Sequence, residues 1–398
     1  MDTNKFRAWI YARQGLEQTR VGSAREALAH AGWQRSVGGV NPYLALRARS
    51  GEGREQVDAL AERLELLELP SARGCTYVLP AEHFALGLTI GRNFASVTKL
   101  ATARKLGVPD AEIDALQSAV LAALATETLC PFNLKKALGD KVRSLGEEGK
   151  RKGLTTTLPV ALGILQSQGR IRRKPINGRL DTQRYMYELW EPALIDFPTE
   201  EDAAEEIARL YFAWTGAATL KEFRDFTAFN VKAAQAACEC AGLVPFTADP
   251  TLLALPETNR DFEAYTPPPT AAYSLVSNLD SFLLLRRGSS FWLDAEDRDL
   301  SVPTDKGEKP LSGLAELWSH AILDRGRLVG LWEFDPDAGC IAWAAWVPLT
   351  ESLLDAVDAA ERYVSNDLTD ARSFSLDSPA SRQPRLEVLR RIQKALHG

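Results

Sequence analysis

The pattern of apolar and polar positions first resolves into an element at Ser23-Ala24-Arg25-Glu26. This is a capping box, in which the Ser oxygen and the Glu carboxylate satisfy amides left free at a helix start. Gly32 ends that helix as a left-handed stop, which leaves Trp33-Gln34-Arg35-Ser36 in a loop before Gly38-Gly39. The chain restarts at Asn41-Pro42-Tyr43, and Arg54 to Leu67 has the spacing of an amphipathic helix. Thr76-Tyr77-Val78-Leu79 is a short strand closed by Pro80. This first region reads as mostly helical.

From Ala111 the order becomes recognisable. Helices are predicted over Ala111 to Ala125, Leu134 to Leu145 and Thr155 to Gln168, with Pro159 tolerated in a first turn. Gly169 then breaks the pattern, and two strand-like runs, Arg170 to Ile176 and Arg179 to Trp190, flank Asn177-Gly178. Asn-Gly between such runs predicts a tight hairpin. Three helices and a hairpin follow the plan of a winged helix, whose third helix usually enters the major groove while its wing lies along phosphate.

A second unit repeats the order, with helices from Thr199 to Trp214, from the capping box Thr219-Leu220-Lys221-Glu222 to Phe229, and from Val231 to Ala241. The strand Leu243 to Phe246 follows. This copy is not basic and is expected to be scaffold. Asp261 to Thr270, with Pro267-Pro268-Pro269, reads as a linker to a β-rich end. Strands are predicted at Tyr273 to Val276, Phe291 to Leu293, His320 to Leu323, Leu328 to Phe334 and Ile341 to Val347, with helices at Leu353 to Tyr363 and Leu386 to Leu396. The fold class that emerges is α+β: tandem winged-helix units and a C-terminal antiparallel β-domain. The implied division is 1–110, 111–192, 193–262 and 263–398.

Composition adds little until charge is read locally. The 398 residues are 45% hydrophobic and 25% charged, which excludes a disordered chain or a small disulfide scaffold. No apolar run approaches the ~20 residues of a membrane span, the start lacks a signal region, and five scattered cysteines suit a reducing compartment. A cytoplasmic protein is expected. Net charge is −6, yet Lys135 to Arg184 holds 13 basic residues against four acidic ones, and Met1 to Ser50 holds eight, Arg20 among them, against three. Such segregation can gather phosphate contacts on one face of an acidic protein.

Chemistry is sparse. Cys238-Glu239-Cys240 falls on a helix where its thiols point apart, the four histidines are scattered, and no phosphate loop, dinucleotide fingerprint or nucleophile elbow is present. No cofactor or metal is expected. However, Trp33-Gln34-Arg35-Ser36, Pro42 to Arg49, Arg73 to Pro80, Leu210 to Thr219, Asn278 to Arg287 and Ile322 to Trp332, in that order, resemble the AlkZ-like bacterial DNA glycosylases. These are tandem winged-helix enzymes that remove alkylated bases and unhook interstrand crosslinks.

In that family the first of these stretches usually carries two catalytic side chains two positions apart, Gln-x-Gln or Gln-x-Asp. The resemblance implies catalytic roles for Gln34 and Ser36, with Ser36 a departure, since Ser is too short to replace Gln and cannot be a carboxylate base. A base alkylated on a ring nitrogen is cationic and leaves without strong acid catalysis, so the remaining task is to position water, which an amide can do. No lysine occupies the motif, so simple hydrolysis is expected rather than a Schiff-base step. Double-stranded DNA is the expected partner of a monomer. Its expected contacts are Arg47, Arg73, Lys150, Arg151, Lys152, the hairpin's Arg172, Arg173, Lys174 and Arg179, and Arg286 or Arg287 at the end of a strand formed by Phe282 to Leu285. The other reading is a non-catalytic winged-helix regulator, although no sustained heptads supply a dimerisation element.

Overall fold

The computed structural model describes residues 1–17, 22–92, 94, 97–190 and 197–398. Arg20 and the expected boundary at 192/193 lie outside these. The fold is α+β. Its centre is a four-stranded antiparallel sheet in the order Cys340–Ala345, Arg327–Asp335, His320–Asp324, Tyr273–Val276. Both faces of this sheet are buried, which explains why Leu328-Val329-Gly330-Leu331-Trp332 is nearly all apolar instead of alternating. Leu323, Leu328 and Leu331 pack with Phe6, Trp9 and Ile10 of helix Thr3–Arg13. Ile322, Val329 and Trp332 pack with Leu28, Tyr43 and Leu46 from helices Ala24–Ala31 and Asn41–Ser50. Residues expected in separate regions, 1–110 and 263–398, therefore share two cores.

A smaller three-stranded antiparallel sheet carries the motif. Its strands are β1 (Gln34–Arg35), β2 (Leu66–Pro70) and β3 (Thr76–Pro80), with β3 in the middle. Gln34 is thus in a strand, not a loop. The helix predicted from Arg54 ends at Glu62, and its expected last residues belong to β2. One side of this sheet, through Leu67, Leu69, Tyr77 and Leu79, packs with Tyr211, Phe212, Trp214 and Phe226. Those residues lie on helices Glu200–Thr215 and Leu220–Thr227, and the expected capping box at Thr219 and Glu222 is present.

Residues 110–190 have a core of their own. Leu116, Val120, Leu134, Leu162 and Leu165 from helices Asp110–Leu124, Pro131–Leu138 and Leu158–Ser167 meet Ile171, Tyr185 and Tyr187 of a hairpin. The second helix stops earlier than expected because Gly139 turns the chain at φ +53°. Helix Leu158–Ser167 has no charged residue and no exposed one, so it is built to be packed, not to read a groove. The hairpin pairs β4 (Ile171–Pro175) with β5 (Tyr185–Leu189). Its connection is longer than the tight Asn177-Gly178 turn, because residues after Gly178 leave the hairpin to dock elsewhere. Leu180 enters the core around Tyr43, its amide donates to the Tyr43 hydroxyl at 2.8 Å, and Arg179 donates to the Leu368 carbonyl at 3.1 Å.

Three other expectations change. Ser281–Leu284 is a short helix capped by Asp280, not a strand. Ser289–Trp292 is a helical turn, and helix Pro256–Ala264 extends into the expected linker. Among the described residues no helix is long and apolar enough to cross a membrane.

Candidate active site

The pairing register sets Gln34, Val78 and Glu68 side by side across β1, β3 and β2, so their side chains leave the same face of the small sheet. Ser36 continues the row, since its amide donates to the Thr76 carbonyl at 3.0 Å. Its hydroxyl donates in turn to Glu68 Oε1. Gln34, Ser36 and Glu68 are only 1%, 2% and 3% exposed.

Gln34 is fixed by three hydrogen bonds. Its Nε2 donates to Ser281 Oγ at 2.6 Å and to the Gly32 carbonyl at 3.2 Å, while its Oε1 accepts from the Ser281 amide at 3.1 Å. Ser281 Oγ donates to the Ala31 carbonyl at 3.0 Å. Behind Ser281 stands Asp280, held by Arg49 through paired contacts of 2.7 and 2.8 Å with both side chains fully buried. Farther along, His320 Nδ1 accepts from the Asn278 amide at 3.2 Å, which leaves its Nε2 to donate to the Ala371 carbonyl at 2.7 Å. The sequence stretches around Gln34, Arg49 and Asn278 thus converge on one buried network. That network orients the amide; it does not leave it open to solvent, as a loop position would have.

Above this row is a cleft of about 570 Å³, a size suited to a small-molecule group. One wall is helix Arg54–Glu62 and the other is the basic hairpin, and Leu66, Leu67 and Glu68 line its inner side. Gln34 and Ser36 do not line it, and Ser36 reaches it only through its hydrogen bond to Glu68. Glu68 does line it, and the sequence reading missed it. The available signal was a lone acid inside Leu66-Leu67-Glu68-Leu69, a strand buried on both faces, where an ionised group persists only with partners. Glu68 Oε2 is in no well-formed hydrogen bond among the described residues and faces Arg173 Nη2 at 3.8 Å.

The hairpin cations divide by strand face. Arg172 Nη2 and Lys174 Nζ both meet Glu188, at 2.5 and 3.0 Å. Burial alone would raise the Glu188 carboxyl, yet Lys174 and Arg172 hold it below its ordinary range. Arg173 points the other way, donates to Thr76 Oγ1 at 3.2 Å and stacks 4.1 Å from the centre of the Tyr185 ring. Burial, and next the Glu68 carboxylate, push the Tyr185 hydroxyl well above its ordinary value, so it stays protonated. On the helix wall, burial raises Asp58 despite the Tyr43 hydroxyl, which donates to it, and despite Arg54 at 3.1 Å.

The other expected cations are dispersed. Lys150, Arg151 and Lys152 are exposed at the end of helix Gly146–Arg151, with Lys152 paired to Glu148 at 2.8 Å. Arg47 is exposed and lies 5.1 Å from the Tyr363 ring centre. Arg179 pairs with Asp181 inside the docked connection. Arg73 and Arg287 meet Arg35 and Tyr77 on the opposite face of the small sheet, around a recess of about 10 Å³ that could hold no base. Arg286 is a correction: it is 6% exposed, donates to the Ala217 carbonyl, lies 3.5 Å from Glu222 and stacks 4.5 Å from the Phe291 ring centre. Its Nη2 and Nε are engaged within the protein and its plane is stacked on an aromatic ring, so packing holds this side chain inward, away from a DNA-facing surface. Arg287 is partly exposed and ion-paired with Glu316.

No curated protein matches the sequence closely enough to count as a relative. Among solved structures, the DNA glycosylase AlkZ of Streptomyces sahachiroi is similar over 93% of this chain and 98% of its own, with a TM-score of 0.66. At 21% sequence identity that likeness is one of fold. The sequence itself matches the AlkZ-like DNA glycosylase family over residues 19–365, spanning the motif segment, the small sheet, the hairpin and the central sheet. The chain belongs to the AlkZ-like DNA glycosylase family.

Proposed function

We propose that this glycosylase hydrolyses the N-glycosidic bond of bases alkylated on a ring nitrogen, or unhooks crosslinks made through such bases, in double-stranded DNA. The observation that carries the reading is a row, set by the pairing register, that runs from Gln34 to Glu68 on the inner side of a cleft whose outer wall is a cationic hairpin. In this reading residues 110–190 form a winged helix with β4 and β5 as its wing, and residues 199–254 form a second one that serves as scaffold. Contact with the duplex falls to the wing and to Lys150, Arg151 and Lys152, because helix Leu158–Ser167 is packed inside. Arg47 and Arg287 contribute at the margin.

The chemistry asks little of an acid. The departing base takes the bonding electrons and loses its positive charge, so the enzyme must hold water against the sugar and exclude competing geometry. Gln34 and Ser36 serve as positioning residues for that site. Lys174 is the one lysine among the residues lining the cleft, and it is paired with Glu188, which favours hydrolysis over a Schiff-base step. The enzyme acts as a cytoplasmic monomer that needs no cofactor.

The test is release of 7-methylguanine from methylated duplex, and unhooking of a nitrogen-mustard crosslink, by purified protein under single-turnover conditions. Release or unhooking is expected. Retained duplex binding with neither activity would give way to the non-catalytic binding reading. Replacing Arg172, Arg173 and Lys174 by Ala is expected to weaken binding to all duplexes alike. The slope of log affinity against log salt should fall by about one per lost phosphate contact. An unchanged slope would remove the hairpin from the interface.

A further inference from the structure

We propose that Glu68 is the water-activating carboxylate of this enzyme, delivered from β2 to do what the residue at the second motif position does elsewhere, with Ser36 as its positioning residue. The inference rests on the glycosylase reading above and names the group that acts within it.

Three observations lead here. First, the amide of Gln34 is occupied by Ser281 and Gly32, and the hydroxyl of Ser36 by Glu68, so neither motif side chain presents a free group to the cleft. Second, Glu68 lines that cleft, is nine-tenths buried or more, and has one oxygen bound by Ser36 and the other in no well-formed hydrogen bond among the described residues, with the Tyr185 hydroxyl near it and the Arg173 guanidinium 3.8 Å away. A buried carboxylate with an open lone pair is costly unless it serves a ligand. Third, Glu68 comes from a strand interior whose neighbours Leu67 and Leu69 are locked in the core, so the backbone beneath it is rigid. Ser36 is too short to reach a reacting sugar, but it is the right length to hold Oε1 and leave Oε2 unbonded in the buried floor of the cleft. Arg173, 3.8 Å from Oε2, ties that oxygen to the wing that grips the DNA.

The step balances simply. The water oxygen bonds to C1′ of the sugar as the C1′–N bond breaks, and its electron pair leaves with the base. The water proton passes to Glu68 Oε2 and then to solvent. A cationic base becomes neutral on leaving, so no acid is required opposite Glu68.

Glu68→Gln keeps the size and the hydrogen bond from Ser36 but removes the base. It is expected to lower the single-turnover rate of 7-methylguanine release by about 10²-fold or more, with duplex affinity unchanged. Ser36→Ala should reduce the rate less, since the carboxylate remains. The decisive variant is Ser36→Asp combined with Glu68→Gln, which returns a carboxylate to the row from β1's side. It should recover activity that Glu68→Gln lost, which a merely structural role would not produce. It also reports on the proposal if Glu68→Gln alone folds poorly. Full activity in a folded Glu68→Gln protein, or no recovery in the folded double variant, would overturn the assignment while wild-type activity upheld the glycosylase reading. A wild type inactive on both lesions would overturn that reading and this inference with it.

Discussion

Asp280→Ala is expected to destabilise the protein by about 3–5 kcal/mol, the range for leaving one member of a buried ion pair unpaired. Asp280 and Arg49 are both fully buried. Arg49 also donates to the Gln14 carbonyl at 2.9 Å, the Gln14 side chain at 3.2 Å and the Ala45 carbonyl at 2.9 Å. Those acceptors would hold the guanidinium in place after its counter-charge was gone. Asp280 further caps the helix Ser281–Leu284 by accepting from the Phe282 amide at 2.8 Å. The loss therefore combines an uncompensated cation with an uncapped helix start. The consequence for the site is specific, because Ser281 is the residue that holds Gln34. Urea unfolding at constant pH would measure the stability, and base release below the unfolding transition would measure the displacement of Gln34. Asp280→Asn with Arg49→Met should recover much of the stability lost in Asp280→Asn alone, since removing both charges removes the uncompensated one. An Asp280→Ala protein as stable as wild type would refute the argument.

Much of this architecture is legible in the chain, and the failures share a cause. Capping boxes at Ser23 and Thr219 are local, so they are read directly from residue type and spacing. The strands of the central sheet are legible too, because β-branched and aromatic runs bounded by turns need no distant information. Gln34 could not be placed this way. Two residues become a strand only because Thr76–Pro80 pairs with them, and the amide is oriented by Ser281, 247 positions away. The same holds for the hairpin connection, where Asn177-Gly178 is a sound local signal overruled by Leu180 entering a core built around Tyr43. Arg286 and Arg287 show the limit for charges: sequence counts them as cations, while packing decides that one is internal and the other is paired with Glu316. Glu68 was hidden for the opposite reason. A charged residue in an apolar strand is visible, but only the register that sets it beside Val78, in line with Gln34, shows that it belongs to the motif.

Acidification offers a second large effect, through His320. Burial lowers its pKa from the ordinary 6.5 to about 4, and Arg385 and Arg382 reinforce the shift while Asp377 and the Ala371 carbonyl oppose it. The ring is held neutral, with Nδ1 accepting from Asn278 and Nε2 donating to Ala371, and it packs 4.5 Å from the Trp332 ring centre. Because the folded pKa lies below the unfolded one, the unfolded chain takes up the proton first as pH falls. The stability His320 contributes is complete above pH ~6.5 and is lost progressively down to about pH 4. Across that window the loss amounts to about 3 kcal/mol, with a slope of at most ~1.4 kcal/mol per pH unit. Carboxylates titrate at the lower end, and His30 and His83, both held below their ordinary value chiefly by desolvation, share the upper end, so the comparison must be with His320→Gln, which cannot charge. Unfolding free energies of both proteins, measured by urea denaturation at pH 7, 6 and 5, should converge as pH falls, wild type losing stability faster. Parallel curves would show that His320 binds its proton equally in both states. Convergence would carry a functional corollary, since the Asn278 amide that His320 holds begins the stretch that leads through Asp280 to Ser281. Loss of base release on mild acidification should then be smaller in His320→Gln than in wild type, once each rate is corrected for the fraction of protein folded.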